Sequence, residues 1–476
     1  MPWTLIAAIL GSSIAFIDGT VVSVALPALQ TSLNASAAQV QWVVEAYVLL
    51  LASLILVGGS LGDLFGRRFI FTLGIGVFAV ASAWCALAPS IGHLIAARAL
   101  QGVGGAMLVP GSLALISSAY PEAERGKAIG TWSGFSAITA AIGPVLGGTL
   151  VEHGGWRWVF FLNIPLAAAV LLICYAKVPE SRDESASRSV DYPGVILAIA
   201  GLGALVFGLI ERTPIWAVVG LVVLAVFLFV EYKTAAPMLP LALFKSRNFA
   251  GANLLTLFLY TGLSGVLFFF PLDLIQIQGY RPTQAGAALL PFILLMFILS
   301  RWAGGLVARN GSKLPLVIGP AISAIGFALF TIPGTHAASY WTTFFPGAIV
   351  LGLGMSVTVA PLTTTVMSAV ESHRAGIASG INNAVSRVAQ LLAVAVLGAV
   401  LVSSFNRHLD HSDARNLPAS ERLKLAAAQT PNREPVKEAF IAGYREVLWI
   451  SVALALASSA AAAVLIKEHA SSTASP

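Results

Sequence analysis

The chain has 476 residues, of which 57% are hydrophobic and only 10% are charged. A soluble globular protein carries about 25% charged residues, so this composition excludes a water-soluble enzyme and a disordered chain. The length accommodates many apolar spans of roughly 20 residues each. The formal net charge of +6 does not by itself indicate nucleic acid, because the position of the charges decides that question. The composition predicts an all-α polytopic membrane protein.

Fourteen apolar runs follow one another along the chain as six, two and six. They cover residues 3–25, 40–61, 69–88, 93–119, 128–151, 159–176, then 193–210 and 215–230, then 249–272, 284–307, 314–332, 342–367, 376–402 and 447–466. This order predicts an N-terminal six-helix bundle (1–176), a linker with two additional transmembrane helices (177–248) and a C-terminal six-helix bundle (249–476). A long extracytoplasmic loop is expected at 403–446. The first run has no Lys or Arg before it, so it is expected to be a retained helix and not a cleaved signal peptide.

The Lys and Arg residues predict the orientation. If the N-terminus is inside the cell, the short cytoplasmic segments hold fourteen of them and the short outer loops hold three, Arg157, Arg212 and Arg281. Seven more lie in the long loop, which the positive-inside rule discounts. Both termini are therefore expected to be cytoplasmic, in a multi-pass protein of the cell (inner) membrane. No basic patch is left to bind nucleic acid.

The loop after the second span contains a pattern that recurs after the tenth. The spacing G-x3-[D/A]-x2-G-x-[R/K] starts at Gly59 and again at Gly304, as expected of two homologous halves with parallel topology. Glycines permit a tight turn, and a carboxylate can accept bonds from helix ends and arginines. The pattern predicts a conformational role for the first copy, and the alternative is a basic loop that only sets topology. The residues concerned are Gly59, Asp63, Gly66, Arg67 and Arg68.

Three further motifs lie in the first, fourth and fifth spans. They run from Ile17-Asp18 to Pro27, from Leu94 through Arg98 and Gln101 to Gly104, and from Gly130 to Gly148, the last including Gly143, Pro144 and Gly147. With the loop motif, they make the chain resemble the major facilitator superfamily, and within it the fourteen-helix drug:proton antiporter branch. Ser23 stands where this branch usually has Asn, and Thr139 replaces an expected glycine. The resemblance covers nearly the whole chain.

The resemblance implies two six-helix bundles around a central cavity that work by alternating access. It also implies that the protein is a transporter and not an enzyme. The expected activity is export of small amphipathic or cationic compounds in exchange for protons that flow inward. The implied partners are the substrate, protons and the lipid bilayer, and the functional unit is a monomer without a cofactor. Gly143, Pro144, Gly147 and Gly148 are expected to form a pivoting helix that lets the bundles approach; a tolerated kink is the alternative.

Asp18, Glu45 and Arg98 are ionisable residues inside the first bundle. A charge in the hydrocarbon costs roughly 2.5–3.5 kcal/mol on insertion scales, so such residues are functional candidates by default. Asp18 lies roughly 22 Å into the first span, past the midplane. We expect the three residues to form a proton-coupling cluster in which protonation competes with a cationic substrate for a carboxylate. The alternative is an ion pair of Arg98 with Asp18 or Glu45 that joins helices.

A polar stripe and several aromatic residues are expected to line the substrate cavity. Asn383 and Arg387 lie one turn apart in the thirteenth span, near the midplane; interhelical hydrogen bonding is the alternative for them. Aromatic rings can attract cationic ligands, although packing or an interfacial belt explains them equally well. The aromatic candidates are Tyr47, Trp132, Phe135 and Tyr260.

Other polar features carry no expected function. The run with His408, Asp410 and His411 is expected to be solvated loop, so no metal site is predicted. Asp273 is expected to reach the outer interface and to be solvated. The sequence has no G-x4-GK[ST] loop and no intramembrane His beside a candidate serine, so neither ATP drive nor a hydrolase is indicated.

The substrate and some partners remain open at this stage. A dedicated metabolite exporter or a proton-coupled uptake symporter of the same fold is the alternative function, and a sensor or assembly scaffold is a third. The charges within the spans argue against a scaffold. The loop 403–446 either meets a periplasmic adaptor protein or lies in solvent.

Overall fold

A computed structural model describes residues 2–182, 191–234, 237–307, 311–335, 339–370, 375–412 and 434–467. All of the regular secondary-structure elements among these residues are helices. The first half and the middle pair contain nine helices, bounded as follows: α1 Pro2–Leu33, α2 Ala37–Phe65, α3 Arg67–Ala86, α4 Ile91–Ala119, α5 Glu122–Gly154, α6 Arg157–Phe161, α7 Asn163–Lys177, α8 Tyr192–Ile210 and α9 Pro214–Lys233.

The second half follows a short 3₁₀ turn, Leu241–Lys245. Its helices are α10 Arg247–Leu272, α11 Pro282–Ala287, α12 Leu290–Gly304, α13 Lys313–Leu329, α14 Tyr340–Thr343, α15 Phe345–Ser368, α16 Ala375–Leu392, α17 Gly398–Asp410 and α18 Glu434–Leu465. Two π-helical turns interrupt the described part of this half. One, Asp273–Ile277, follows α10, and the other, Ala393–Leu397, joins α16 to α17.

Twelve helical segments in the described residues are long and apolar enough to cross a bilayer, so the expected number of fourteen is not reproduced exactly. The two expected spans outside that set lie in α5 and α13. Helix α5 has 33 residues, and many of its side chains lie outside the described part of the structure. Helix α13 is apolar but has only 17 residues.

Helices α1–α7 and α10–α18 form two halves that face each other, and α8 and α9 pack together beside α2. The indole of Trp42 on α2 donates to Glu211 after α8 at 3.0 Å, which fixes the pair to the first half. We call the membrane side at which α1 begins the near side and the opposite side the far side. The contacts between the halves that are described below lie at the far side.

Local sequence signals set several helix ends. Ser36 and Gln39 form a reciprocal capping box at the start of α2, and the side chains of Ser90, Asp191 and Ser246 accept from the first turns of α4, α8 and α10. The segment expected as a loop at 403–446 is helical at both ends, because α17 continues to Asp410 and α18 begins at Glu434. The expected loop bounds, 403 and 446, therefore fall within α17 and α18.

Small residues bring helices into close contact. A Cβ at Gly74 on α3 would lie 2.8 Å from the Cβ of Met107 and 2.9 Å from the carbonyl oxygen of Gly104, both on α4. A Cβ at Gly58 on α2 would overlap the carbonyl of Ala106 on the same helix α4. The hydrophobic effect does not drive helices together in a bilayer, because lipid tails are as apolar as the side chains. Close backbone packing of this kind therefore provides much of the attraction between helices.

The two glycines of α3 provide a matched test of this packing. We expect Gly74→Ala to destabilise the protein by about 1–3 kcal/mol, because the added methyl group must displace α4. Gly76→Ala, whose Cβ would meet nothing within 4 Å, should be neutral or stabilising by about 0.4–1 kcal/mol. Thermal unfolding of both variants in the same detergent measures the difference. Equal melting temperatures would show that the α3–α4 contact tolerates an extra methyl group.

Candidate functional site

The first half contains a buried ion pair between Asp18 on α1 and Arg98 on α4. One terminal nitrogen of Arg98 lies 2.5 Å from Oδ2 of Asp18, and the side chains are 1% and 0% exposed. Asp18 lies about 24 Å along α1 from its near-side end, roughly halfway along the helix. The pair is the one that the alternative interpretation of the sequence describes, an ion pair of Arg98 with Asp18 or Glu45; a proton-coupling role for it stays a prediction.

A hydrogen-bond network surrounds the pair. The amide of Asn163, the first residue of α7, donates to Oδ1 of Asp18 at 3.0 Å. Gln101 accepts from Arg98 at 2.7 Å and donates to the hydroxyl of Ser82 at 2.7 Å. Each charged group therefore has several polar partners, which is the condition under which a buried charge is tolerated.

Tyr47 and the backbone of α2 complete the environment of Arg98. The Nε of Arg98 donates to the carbonyl oxygen of Val43 at 3.0 Å, and its guanidinium lies 4.4 Å from the centre of the Tyr47 ring. Tyr47 is buried. Tyr47 was predicted to line the substrate cavity. In the structure one face of its ring is occupied by Arg98, in a cation–π contact.

Glu45 lies near this network in sequence but is not joined to it. The side chain is fully buried, and neither carboxylate oxygen has a hydrogen-bond partner among the residues that the structure describes. It lies one turn beyond Gln41 on α2, the residue that contacts Gly398 of the second half. The predicted cluster of three is therefore a bonded pair, Asp18 and Arg98, with a separate buried carboxyl group.

The polar residues predicted in the second half separate into two environments. Arg387 is half-buried and donates to Gln390 one turn along α16 at 3.3 Å, while Asn383 is exposed and donates to the carbonyl of Ser379. Asn382 instead points into the bundle. It donates to Asn253 at 3.1 Å and to Thr256 at 2.8 Å, both on α10, and so links α16 to α10.

The remaining aromatic candidates are less buried. The indole of Trp132 on α5 donates to the hydroxyl of Ser12 on α1 at 2.8 Å, and its ring packs on Phe16. Phe135 is 49% exposed and Tyr260 is half-buried. The structure therefore gives Trp132 a packing and hydrogen-bonding role between α1 and α5. It leaves the assignment of Phe135 and Tyr260 to a substrate cavity as a prediction.

The loop motif between α2 and α3 is tied to the segment after α7. Glu180 accepts hydrogen bonds from the backbone amides of Arg68 and Phe69 at 2.9 and 3.0 Å, which caps the first turn of α3 with a negative charge. Gly66 has φ +116°, and a Cβ there would meet the Glu180 carboxylate. The backbone amide of Arg67 donates to the carbonyl of Ser181. Glu180 is a partner that the motif alone did not indicate.

The rest of the loop motif and its second copy are only partly described. Gly59 lies in ordinary contact with Pro110 of α4. The side chain of Asp63 and, in the second copy, residues 308–310 lie outside the described part of the structure. The conformational role of the motif stays a prediction.

The Gly-Pro segment of α5 makes one of the contacts between the two halves at the far side. A Cβ at Gly143 or Gly147 would overlap Thr20 or Val21 of α1, so both glycines face α1. Gly148 packs against the backbone of Pro282 and Thr283 on α11, and Pro144 packs against Gly286 on the same helix. The hydroxyl of Thr283 donates to Glu152 at 2.7 Å. We call this contact between α5 and α11 the far-side gate.

Asp273 and the histidine run differ from their expected environments. Asp273, expected to be solvated, is fully buried; the expectation was wrong because the chain turns back at the π-helical turn and covers the side chain. His408 and His411 lie at the end of α17, where their ring nitrogens contact carbonyl oxygens one turn back in the helix, so the run at 405–410 is helical and not a loop.

Sequence reasoning missed several members of the network. Asn163 follows the break between α6 and α7, where an asparagine is typical of a helix start, and nothing in the sequence places it beside α1. Ser82 and Cys85 are small polar residues in an apolar run, and the Cys85 thiol lies 3.3 Å from Gln101. The spacing of Arg98 and Gln101, three residues apart on one helical face, is a signal that could have indicated a shared site.

The sequence of residues 8–394 matches the protein family called the Major Facilitator Superfamily. It is 37% identical over 425 residues to the Multidrug resistance protein Stp of Mycobacterium tuberculosis, with 87% of this chain and 78% of that protein covered. It is 35% identical over 422 residues to the Puromycin resistance protein pur8 of Streptomyces alboniger, with 86% and 84% covered. In structure it resembles a bacterial homologue of the human lysosomal transporter Spinster, with a TM-score of 0.73, 17% identity and coverage of 98% and 96%.

The ion pair predicts a strong dependence of stability on both partners. We expect Arg98→Met to destabilise the protein by about 3–5 kcal/mol, because it leaves the Asp18 charge buried without its cation. The double variant Asp18→Asn/Arg98→Met should recover part of that loss. Thermal unfolding of the four proteins in a double-mutant cycle gives the coupling energy. Additive effects of the two substitutions would contradict a direct interaction.

Proposed function

The chain belongs to the major facilitator superfamily, and from this membership we propose that it is a proton-coupled antiporter that exports small amphipathic or cationic compounds by alternating access. The observation that carries the proposal is the buried Asp18–Arg98 pair with its hydrogen-bond network. The names of two relatives, a multidrug resistance protein and a puromycin resistance protein, support export of toxic organic compounds.

The pair supplies a carboxylate that can exchange partners inside the membrane. In the arrangement observed, Asp18 is held by Arg98 and Asn163. A proton on Asp18 would remove its negative charge and weaken both bonds, which releases α1 from α4 and α7. A cationic substrate competes for the same negative charge, so proton and substrate do not occupy the site together. This mutual exclusion couples the two fluxes in opposite directions.

Arg98 keeps the site polar when Asp18 is neutral. Its guanidinium retains the carbonyl of Val43, the amide oxygen of Gln101 and the face of the Tyr47 ring. A buried arginine remains charged under all physiological conditions. We therefore assign Arg98 the role of positioning Asp18. We assign Glu45 to a second proton-accepting position near the contact between Gln41 and Gly398 of the two halves.

Movement between the halves would open and close the far-side gate. Glycines at 143, 147 and 148 allow the close approach, and Pro144 removes one backbone hydrogen bond of α5, which makes bending of the helix less costly. Asn383 and Arg387 on α16 and Tyr260 on α10 belong to the second-half wall of the proposed cavity. Trp132 and Phe135 on α5 belong to the first-half wall.

The proposed setting is the cytoplasmic membrane, with the near side cytoplasmic. The excess of Lys and Arg in the short near-side segments supports that orientation. We propose a monomer as the functional unit, since each half supplies its own share of the cavity. An adaptor at the loop between α17 and α18 is a proposal that rests on the length of that loop alone.

The test uses purified protein in liposomes that contain a pH-sensitive dye. We expect a lipophilic cation to cause proton movement in the wild type and Asp18→Asn to reduce it at least tenfold, because the amide cannot carry the exchanged proton. Glu438→Gln removes an exposed carboxylate on the far side and should leave the flux unchanged. Circular dichroism and gel filtration check that all three proteins insert and fold.

Two results would contradict the proposal. Undiminished proton movement in Asp18→Asn would exclude this carboxylate as the coupling group. Proton and substrate moving in the same direction would identify an uptake symporter, the alternative for this fold. A panel of cationic and neutral compounds in the same assay then distinguishes a broad exporter from a dedicated one.

A further inference from the structure

Two carboxyl groups meet at the near-side end of the middle helix pair. Asp191 caps the start of α8, and Glu231 lies two residues before the end of α9. Asp191 is 9% and Glu231 only 2% exposed. A Cβ at Gly194 would lie 2.4 Å from Oε1 of Glu231 and 2.7 Å from Oδ2 of Asp191. The two oxygens therefore share the small space that this glycine leaves, within hydrogen-bonding reach of each other.

Backbone N–H groups bind three of the four carboxylate oxygens. Asp191 accepts from the amide of Gly194 at 2.9 Å through Oδ1 and from that of Met238 at 3.2 Å through Oδ2. Glu231 accepts from the amide of Leu239 at 2.8 Å through Oε2. Its other oxygen, Oε1, is buried and has no donor among the residues that the structure describes. This oxygen faces Asp191, and two carboxylate oxygens can form a hydrogen bond only with a proton between them.

No cation compensates the two acids among the described residues, where neither forms an ion pair with Lys, Arg or His. The connection 237–240, whose amides bind both acids, has no titratable side chain. Tyr192 and Lys245 are exposed, and the ammonium of Lys233 lies within 5.9 Å of the centres of aromatic rings on its own helix. Two buried carboxylates that share one space repel each other, so the pair keeps one proton.

The pair lies where the middle helices join the second half. The other end of the middle pair is fixed to the first half by the hydrogen bond from Trp42 to Glu211. The connection 237–240 leads into the second half, where Phe244 packs on Phe249 of α10 with ring centres 5.1 Å apart. The two acids therefore fasten helices held by the first half to the chain that enters the second half.

We propose that Asp191 and Glu231 bind one proton between them, taken from near-side water, and that this proton fastens the connection 237–240 to the middle helix pair. We call the protonated pair with its three N–H donors the near-side latch. It concerns the joint between the halves and does not depend on what the protein transports. Binding one proton makes one O–H bond, from Oε1 of Glu231 toward Oδ2 of Asp191, and leaves a single negative charge. The three N–H groups and the N-terminus of α8 stabilise that charge.

The latch weakens as the near-side pH rises. Loss of the proton to water leaves two negative charges in one space, which repel each other and separate α8 from α9. The amides of Met238 and Leu239 then lose their acceptors, and the connection is released. In the released form both acids are hydrated and ionise like ordinary carboxyl groups, so this form binds fewer protons at neutral pH than the latched form does. Rising pH therefore favours release by at most about tenfold per pH unit for one proton.

Hydrogen–deuterium exchange of the whole protein in lipid nanodiscs, measured by mass spectrometry, tests the latch. Proline has no N–H, so Pro237 and Pro240 leave Met238 and Leu239 as the two amides of the connection. We expect both amides to be protected near pH 5. Their protection should fall toward pH 9 by up to about tenfold per pH unit, after correction for the pH dependence of chemical exchange.

Substitutions assign the response to the shared proton. Glu231→Gln places an amide N–H where the proton would lie and keeps an oxygen for Leu239, so both amides should stay protected at every pH. Gly194→Ala places a methyl group between the two oxygens, so protection should fall at least tenfold even near pH 5. Glu438→Gln removes an exposed carboxylate on the far side and should respond like the wild type.

Four results would overturn the proposal. They are protection that does not change with pH in the wild type, a wild-type response in Glu231→Gln, full protection in Gly194→Ala, and a wild-type response to Mg²⁺ or Ca²⁺ at fixed pH, which would identify a metal cation in place of the proton. If Glu231→Gln does not fold, Asp191→Asn decides, because its exchange should not depend on pH either. Absence of drug-evoked proton flux in liposomes would refute the antiport and leave the latch standing.

Discussion

The structure of the first half depends on the requirement that a charge buried in the membrane be neutralised and hydrogen-bonded. Asp18 and Arg98 meet this requirement only because five helices converge on them: α1 and α4 supply the charges, and α2, α3 and α7 supply Val43, Ser82 and Asn163. Removing any one helix from the group would leave a charged or polar group unsatisfied. Burying these two charges costs free energy, but the need to neutralise them selects one arrangement of the helices. Buried polar groups specify a unique structure in this way in some proteins.

Apolar packing cannot supply that selection in a bilayer, because lipid tails are as apolar as the side chains that they contact. The close contacts instead occur where a glycine removes the Cβ, as at Gly74 between α3 and α4 and at Gly148 in the far-side gate. The first contact lies within one half and the second lies between the halves. Contacts within a half are reinforced by the charge network, whereas among the described residues the gate has one side-chain hydrogen bond, from Thr283 to Glu152, beside its backbone packing. The gate is therefore the part that is easier to separate.

Much of the fold could be predicted from sequence, because apolar length and the Lys and Arg distribution are direct consequences of the bilayer. The pairing of Asp18 with Arg98 could also be anticipated, since each ion needs a partner inside the membrane. The separate position of Glu45 could not, because depth along a helix does not determine which neighbour its side chain faces. Asp273 was misplaced for a related reason: the helix length put it at the surface, but the π-helical turn and α18 cover it, and neither has a sequence signal that distinguishes it from ordinary helix.

The buried acids thus fall into two kinds with different physical consequences. Asp18 is compensated by a permanent cation that is in contact with it. Glu45 and Asp273 have no such cation in contact among the described residues, and Glu45 lies one turn from Gln41, which contacts Gly398 of the second half. An uncompensated carboxyl group favours whichever arrangement matches its protonation state, because ionisation demands water and neutrality permits burial. The charged form of the compensated acid is therefore compatible with a dry, closely packed arrangement of helices, whereas the uncompensated acids are compatible with it only when neutral or when water reaches them.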